Sequence, residues 1–280
     1  MNEVTFDIGQ LDAGLARYFD IADHKRSTFL SRIKDLHRRR FPYTVEQRHG
    51  RKTRYRPLDC IMTTLALELI SSGLGPEKAI THLQWWWYEI VVALRKTVDE
   101  INVLIEKGES ERDYYLLFAP EGFSNLKKGF NGKPGEPETR LHTVNNELLI
   151  EQFSTQSFQV SINMTIIHVT QAVYLVLTSL TGFGLEDKEA IQILLDDIRS
   201  HLDALCETQG DERLQAAKLE YIYGHLLYWR YCHYQTRKDK LPSAALLAKR
   251  SGESMKLVRE VLQTELKGQK GMGSDVNTQA

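Results

Sequence analysis

The amino-acid sequence predicts a mainly α-helical protein. Over most of the 280 residues, apolar side chains recur at the three- and four-residue spacing of an amphipathic helix, and proline and glycine mark where several such segments begin or end. Stretches typical of strands are few and short. With 42% apolar and 26% charged residues, the composition is that of an ordinary globular chain, which excludes global disorder and collagen-like repeats.

Two short helices are predicted near the amino end, separated by a polar turn. The apolar face of the first is formed by Leu11, Leu15, Ala16 and Phe19. The apolar face of the second is formed by Phe29, Ile33 and Leu36. Ser27 is expected at the N-cap of this second helix or in its first turn. Pro42 ends it, because proline biases the residue before it away from the helical region.

A short two-stranded wing and two more helices are predicted next. Residues Tyr43 to Tyr55 contain the turn pair His49-Gly50 between two cation-rich arms. Pro57 opens a third helix, which ends at Ser72-Gly73, where glycine supplies the left-handed cap. A fourth helix is expected from Pro76 to about Leu83. Helix, turn, helix, wing, helix, helix is the order of a winged helix-turn-helix, and we assign it to residues 1–84.

Residues 85–206 are predicted to form a central helical domain with a few short strands, suited to dimerisation or sensing. Helices are expected after Trp85-Trp86-Trp87-Tyr88, from Asn163 to Leu180 and from Glu186 to Leu205. Strands are expected at Tyr114 to Phe118 and between Leu148 and Val160. Residues 152–185 contain no Asp, Glu, Lys or Arg, but polar residues interrupt the apolar run and neither flank carries a cationic cluster, so we expect no membrane span.

Residues 207–267 are predicted to be a C-terminal helical region that contains a helix-turn-helix-like hairpin. Ala248, Gly252, Val258 and Val261 stand where such a hairpin needs a small residue, a tight turn and two core contacts. The glycine-rich residues 268–280 are predicted to be a disordered tail.

Charge is distributed very unevenly. From His24 to Arg56 the chain has 12 Lys and Arg against Asp35 and Glu46, a local charge of +10. Because the net charge is −1, the other residues together carry −11. A polyanionic partner for this one region is therefore indicated, and double-stranded DNA fits a basic segment that coincides with a predicted helix-turn-helix.

Part of this region resembles the MerR-type winged helix-turn-helix family. The resemblance lies in Gly50 to Tyr55, in Leu58-Asp59 and in the segment Glu68 to Ile80, and it extends over about residues 8–83. In that family an Arg/Tyr pair ends the wing and an acidic residue opens the next helix, as Arg54-Tyr55 and Asp59 do here. The turn before Ser27 is longer than the family usually shows. The resemblance implies a sequence-specific transcription regulator that acts as a homodimer.

A second, shorter resemblance lies near the carboxyl end. Residues 241–262, which begin Leu241-Pro242-Ser243, are similar to the opening of a GntR-type helix-turn-helix head, although Glu253 stands where an apolar residue is usual. The resemblance implies a second DNA contact. A protein-interaction module and a plain helical hairpin are the alternatives.

The predicted DNA-binding residues fall into three groups. On the second helix, facing away from its apolar side and suited to base edges, they are Lys25, Arg26, Ser27, Thr28, Ser31 and Arg32. At the end of that helix, in contact with phosphate or simply solvated, they are Arg38, Arg39 and Arg40. On or near the wing they are Arg48, Arg51, Lys52, Arg54 and Tyr55. Tyr55 either packs against the third helix or reaches phosphate with its hydroxyl.

Signatures of enzymes, cofactors and metals are missing from the sequence. It contains no HExxH, GxSxG, dinucleotide-binding or CxxC motif, so we expect no enzyme, no cofactor and no metal site. Cys60, Cys206 and Cys232 are far apart in apolar or aromatic settings, which favours buried packing in a cytoplasmic protein.

The favoured function is thus sequence-specific DNA binding and transcription regulation of MerR-like type. One alternative is a DNA-organising, replication or partition protein of a plasmid or phage, with a DNA-binding motif at each end. Another is a regulator that senses a small-molecule effector of unknown identity through the aromatic segments Trp85 to Tyr88 and Tyr114 to Phe118, which would otherwise be core.

Overall fold

A computed structural model describes residues 4–42, 53–109, 112–118, 142–147, 149, 165–182, 188–209, 218–219, 222, 226, 241–251 and 254–272. Within these ranges the chain is mainly helical, as the sequence predicts, and contains one three-stranded sheet. It divides into two compact units, residues 1–146 with 159–209, and residues 147–158 with 210–280. The predicted boundary after residue 84 falls inside the first unit, whereas the one after residue 206 falls close to its end.

The first unit begins with a capped helix, α1 (Ile8–Tyr18). The carboxylate of Asp7 accepts hydrogen bonds from the backbone N–H groups of Gly9 and Gln10, both at 2.9 Å, and the Gln10 side chain accepts from the N–H of Asp7. This reciprocal cap satisfies donors that a helix start otherwise leaves unpaired. A single 3₁₀ turn, Asp23–Lys25, then leads into α2 (Arg26–Arg38), so that Ser27 lies in the first turn of α2 and not at its N-cap.

Three more helices follow the predicted wing, of which residues 43–52 lie outside the described part of the chain. They are α3 (Pro57–Ser71), α4 (Pro76–Trp85) and α5 (Trp87–Lys107). The predictions that Pro57 and Pro76 open helices are confirmed, because proline at the first helical position loses no intrahelical hydrogen bond. Gly73 follows α3 with φ of 103°, a left-handed conformation that glycine adopts without strain.

In the chain, the three strands of the sheet come directly after α5 and before the next helix. Its central strand is β1 (Tyr114–Phe118), paired antiparallel on one side with β2 (His142–Asn145) and on the other with β3 (Thr165–His168). The strand predicted at Tyr114 to Phe118 is confirmed, whereas β2 and β3 were not predicted. The strand predicted between residues 148 and 160 lies, apart from residue 149, outside the described residues.

A helix was predicted from Asn163, and this start was wrong. Residues Thr165 to His168 form β3, and only at Val169 does α6 (Val169–Thr181) begin. The β-branched Thr165, Ile166 and Ile167 pair with β1, which overrides the apolar periodicity that favoured a helix.

The last helix of the first unit is α7 (Lys188–Gln209), and it packs with α6 against α5. Two ion pairs, Arg95 with Asp203 and Asp99 with Arg199, join α5 and α7 in an antiparallel arrangement. The apolar face of α5 is buried and comprises Ile90, Val91, Leu94, Val98 and Ile101. The helix that follows the predicted DNA-binding head is therefore covered by helices of its own chain.

The second unit contains the predicted C-terminal hairpin as two helices, α8 (Ala244–Ser251) and α9 (Met255–Met272). The core of this unit is formed by Ile222, Leu226, Leu247, Leu257, Val258 and Val261. Ser243 and Ser254 cap the two helices by accepting from the N–H groups of Leu246 and Leu257. Of residues 268–280, which were predicted to be a disordered tail, residues 268–272 belong to α9, since a glycine in a helix costs only about 1 kcal/mol, and residues 273–280 lie outside the described part of the chain.

Candidate nucleic-acid interface

The basic segment of the chain is organised around α2. Its buried face is Phe29, Ile33 and Leu36, as the sequence predicts. Every exposed side chain of α2 is polar or cationic, and we call this set, Ser27, Thr28, Ser31, Arg32, Lys34 and Arg38, the α2 exposed face. They are short polar or cationic groups on a helix whose other side is anchored in the core.

Lys34 was not among the predicted site residues, although it lies on this face. It follows Ser27 and Ser31 at the i, i+4, i+7 spacing and is continued by Arg38, so these four residues form one ridge opposite the buried side chains. The same spacing is visible in the sequence and could have identified Lys34.

Arg26 belongs to a different environment from its neighbours. Its Nη2 lies 2.5 Å from Oδ2 of Asp12 on α1, and the Arg26 and Asp12 side chains are 33% and 12% exposed. The Arg26 guanidinium thus forms an ion pair with a carboxylate of the same chain. Lys25, by contrast, is exposed in the 3₁₀ turn that precedes α2.

Two of the three arginines at the end of α2, Arg38 and Arg39, lie close to one carboxylate. Asp35 accepts from Arg39 Nε at 3.1 Å, and its other oxygen lies 3.6 Å from Nη2 of Arg38. The Arg38 side chain is 74% exposed, and Arg40 is exposed at the point where the chain leaves the helix with φ of 61°. Since Arg38, Arg39 and Arg40 outnumber Asp35, this end of α2 keeps a local charge of +2.

The predicted wing residues are only partly described. Arg48, Arg51 and Lys52 lie outside the described residues, and Arg54 is exposed. Tyr55 is 1% exposed, so its hydroxyl does not reach the surface, and the packing alternative is the one that the structure shows.

Tyr55 instead ties the end of the wing to the start of the chain. Its backbone N–H and C=O exchange hydrogen bonds with those of Phe6, at 2.9 and 2.8 Å, and its ring packs near that of His37. Burial, with smaller contributions from Cys60 and Asp59, raises the pKa of the Tyr55 phenol to about 12. Asp59, itself buried, accepts from the N–H of Arg56 at 2.8 Å and so caps α3 immediately after this tie.

The support for α2 comes from α1, which is backed in turn by α6. A Cβ on Gly14 would lie 2.9 Å from Cδ2 of Leu180, so the absence of a side chain at Gly14 allows the two helices to approach closely. Arg17 Nη1 donates to the backbone oxygen of Ser179 at 3.5 Å. The Tyr18 hydroxyl donates to Oε1 of Glu68 on α3 at 2.6 Å, and burial, with Glu68, raises the pKa of Tyr18.

The aromatic residues considered for a small-molecule site occupy separate elements. Trp85 ends α4 and is 46% exposed, whereas Trp87 and Tyr88 begin α5. On β1, Tyr114 is buried and its N–H donates to Oγ1 of Thr170. Tyr115 stacks on His168 with ring centroids 4.5 Å apart. Tyr114 is therefore bonded through its backbone to α6, and the Tyr115 ring packs within the sheet on β3.

In the second unit, the side chains of α9 follow the pattern of a surface helix. Leu257, Val258 and Val261 are buried, and Lys256, Arg259 and Glu260 are exposed. Of the predicted hairpin residues, Val258 and Val261 are in the core and Ala248 packs against it, whereas Gly252 lies outside the described residues.

Comparison with protein-family models, with curated proteins and with solved structures finds no match to this chain. Over the ranges that the structure describes, no group of His, Cys, Asp and Glu side chains is arranged to hold a metal ion. None of the described helices combines the length and apolar composition that crossing a bilayer requires.

Proposed function

We propose that this chain is a non-enzymatic, sequence-specific DNA-binding transcription regulator of MerR-like type that acts in the cytoplasm. The observation that carries the proposal is the α2 exposed face, in which serine, threonine and cationic side chains project from a helix anchored by Phe29, Ile33 and Leu36. The major groove of DNA is about 12 Å wide and admits one such helix, whose short polar and cationic residues can hydrogen-bond to base edges.

Phosphate contacts would come from cations at both ends of α2. Lys25 precedes the helix, Arg38 and Arg40 end it, and all three are exposed. Each cation that neutralises a phosphate releases counterions, which makes binding weaker as salt increases. Binding of this head at a promoter would block or remodel it.

A homodimer, which the family resemblance implies, remains part of the proposal with one restriction. The apolar face of α5 already packs against α6 and α7 of the same chain. Two copies would therefore associate through another surface and would place two heads on two half-sites of an operator.

Two matched lysine variants test the proposed interface. Lys34→Ala removes a cation of the α2 exposed face to which we also assign a phosphate contact, whereas Lys107→Ala removes one from an exposed position at the end of α5. Lys34→Ala should weaken the retention of duplex DNA in a gel shift and should reduce the slope of log K against log salt by about 1. Lys107→Ala should leave both unchanged.

Base reading is tested by Arg32→Ala. Selection from a random-sequence duplex library should show a loss of selectivity of about 1–3 kcal/mol at one base position, with the other positions unchanged. Equal, sequence-independent losses for Arg32→Ala and Lys34→Ala would contradict the assigned base-reading role, and failure of the unmodified chain to retain any duplex at low salt would contradict DNA binding itself.

A second candidate function is that of a DNA-organising protein that holds two duplexes. The observation that favours it is the exposed pair Lys256 and Arg259 on α9, opposite the buried Leu257, Val258 and Val261. In the full chain, the double variant Lys256→Ala/Arg259→Ala should then abolish the capture of a second duplex by immobilised complexes but preserve the first. If capture is unchanged, this candidate is rejected.

A further inference from the structure

The ion pair between Arg26 and Asp12 connects the two helices of the proposed DNA-binding head. Arg26 is the first residue of α2, and Asp12 lies in the middle of α1. The distance of 2.5 Å between Arg26 Nη2 and Asp12 Oδ2 makes this a charge-assisted hydrogen bond. Arg26 was predicted to contact DNA from the pattern of α2 alone, to which Asp12 on α1 does not belong.

The surroundings of Asp12 make this pair difficult to break. The Asp12 side chain is only 12% exposed, and among the described residues no group hydrogen-bonds to its Oδ1. A carboxylate so poorly hydrated depends on its cation, and removing one partner of such a pair costs more than the pair itself contributes, because the other charge is left uncompensated. Arg26 is therefore not available for contact with phosphate.

A second contact between the same helices lies on the far side of the turn that joins them. The ring of Phe19, directly after α1, packs against that of Phe29 in α2, with centroids 5.8 Å apart. Two separate contacts, one ionic and one aromatic, define the angle between two helices better than either alone. Because α1 is itself held against α6 at Gly14, it is a firm support for α2.

We propose that Arg26 is a positioning residue, whose ion pair with Asp12 sets the orientation of α2 and so presents Ser27, Ser31 and Arg32 to the base edges. This inference rests on the proposed DNA-binding function. It differs from a role in phosphate contact, since Asp12 is then as necessary for sequence selection as Arg26 is. A phosphate-binding Arg26 would instead be released by the loss of Asp12.

The experiment compares full-length variants on random-sequence duplex DNA, by the salt dependence of retention and by the sequences that each variant selects from the library. The variants are Arg26→Gln, Asp12→Asn and the double variant, with Arg32→Gln as the matched control on the exposed face. The double variant keeps a neutral pair that can still form a hydrogen bond. It is therefore the variant to compare with the unmodified chain if a single variant fails to fold. Circular dichroism verifies the helix content of each.

Each single variant is expected to bind the sequences selected by the unmodified chain roughly tenfold more weakly, a loss similar to that from one mismatched base pair. The loss of selectivity should extend over all positions that α2 reads. The double variant should lose no more than the worse single variant, because both remove the same interaction. The slope of log K against log salt should stay unchanged for Arg26→Gln, in contrast to the fall of about 1 expected for Lys34→Ala.

Two results would overturn the inference and leave the proposed function intact. One is a fall in the salt slope by about 0.9 for Arg26→Gln, and the other is an unchanged or higher affinity for Asp12→Asn. If the unmodified chain retains no duplex at low salt, the proposed function is rejected and this inference with it.

Discussion

Truncation after Lys107 should prevent the amino-terminal head from folding, although that fragment contains every predicted element of the winged helix-turn-helix. The cut removes the sheet, α6 and α7. In the intact chain α1 and α3 pack against α6, and α5 packs against both α6 and α7. The fragment would therefore expose apolar faces on three of its own helices.

The size of this effect follows from what α6 buries. Four of its large aliphatic side chains, Val169, Val173, Val176 and Leu177, are at most 1% exposed. Burying each stabilises the fold by about 1.5–3 kcal/mol, so α6 alone contributes about 6–12 kcal/mol. Because unfolded chains already bury part of this surface, about 4–10 kcal/mol remains. A whole domain is stable by only about 5–15 kcal/mol, and the loss of α7 adds to the deficit.

The charged contacts that the cut removes matter much less. Arg95 and Asp99 lose their partners on α7, but these pairs are partly exposed and each contributes about 0–1 kcal/mol. The loss of apolar packing therefore decides the outcome.

The assay compares the fragment 1–107 with the fragment 1–209, which retains all described helices of the first unit. Far-ultraviolet circular dichroism should show a cooperative thermal transition only for 1–209, and only that fragment should retain duplex DNA. If 1–107 unfolds cooperatively at a similar temperature and binds duplex DNA equally well, the helices after β3 are not needed for the head, and the packing argument is refuted.

Two further predictions concern His37 near the end of α2 and Asp59 in the first turn of α3. Burial lowers the pKa of the His37 imidazole below its ordinary 6.5, so the unfolded chain binds the proton more readily than the folded chain does. The free energy of unfolding should therefore be highest above that ordinary value and decrease as the pH falls, and His37→Gln should flatten the difference between urea titrations at about pH 7.5 and about pH 5. An equally steep decrease in the variant would contradict this role. Asp59→Ala removes the buried cap of α3, which accepts from Arg56 N–H at 2.8 Å, and should lower the free energy of unfolding by about 1–3 kcal/mol, whereas Asp59→Asn, which keeps an acceptor, should lose less. Equal losses for the alanine and asparagine variants would show that the charge, and not the cap, is what matters.

The helices of the head were predictable because their signals are local. Pro57 and Pro76 open α3 and α4, and the buried residues of α2 are those that the three- and four-residue spacing identified. The start of α6 was wrong for the converse reason, since β3 exists only through its pairing with β1. The residues at which a strand begins and ends depend on its pairing with a strand that is distant in the chain. The spacing of apolar residues within one segment contains no information about that partner.

For the candidate site, the sequence by itself determined where cations concentrate and which face of α2 is apolar, because charge and helical spacing are properties of consecutive residues. Only the tertiary structure decided which of those cations are available. Arg26 is bound to Asp12, 14 residues earlier, and the predicted contact residue Tyr55 is buried beside Phe6. α1, which supports α2, packs in turn against α6, and the contact between Arg17 and Ser179 joins residues 162 positions apart in the chain. Ion pairing and burial depend on neighbours in space, and the fold brings these together from separate parts of the chain.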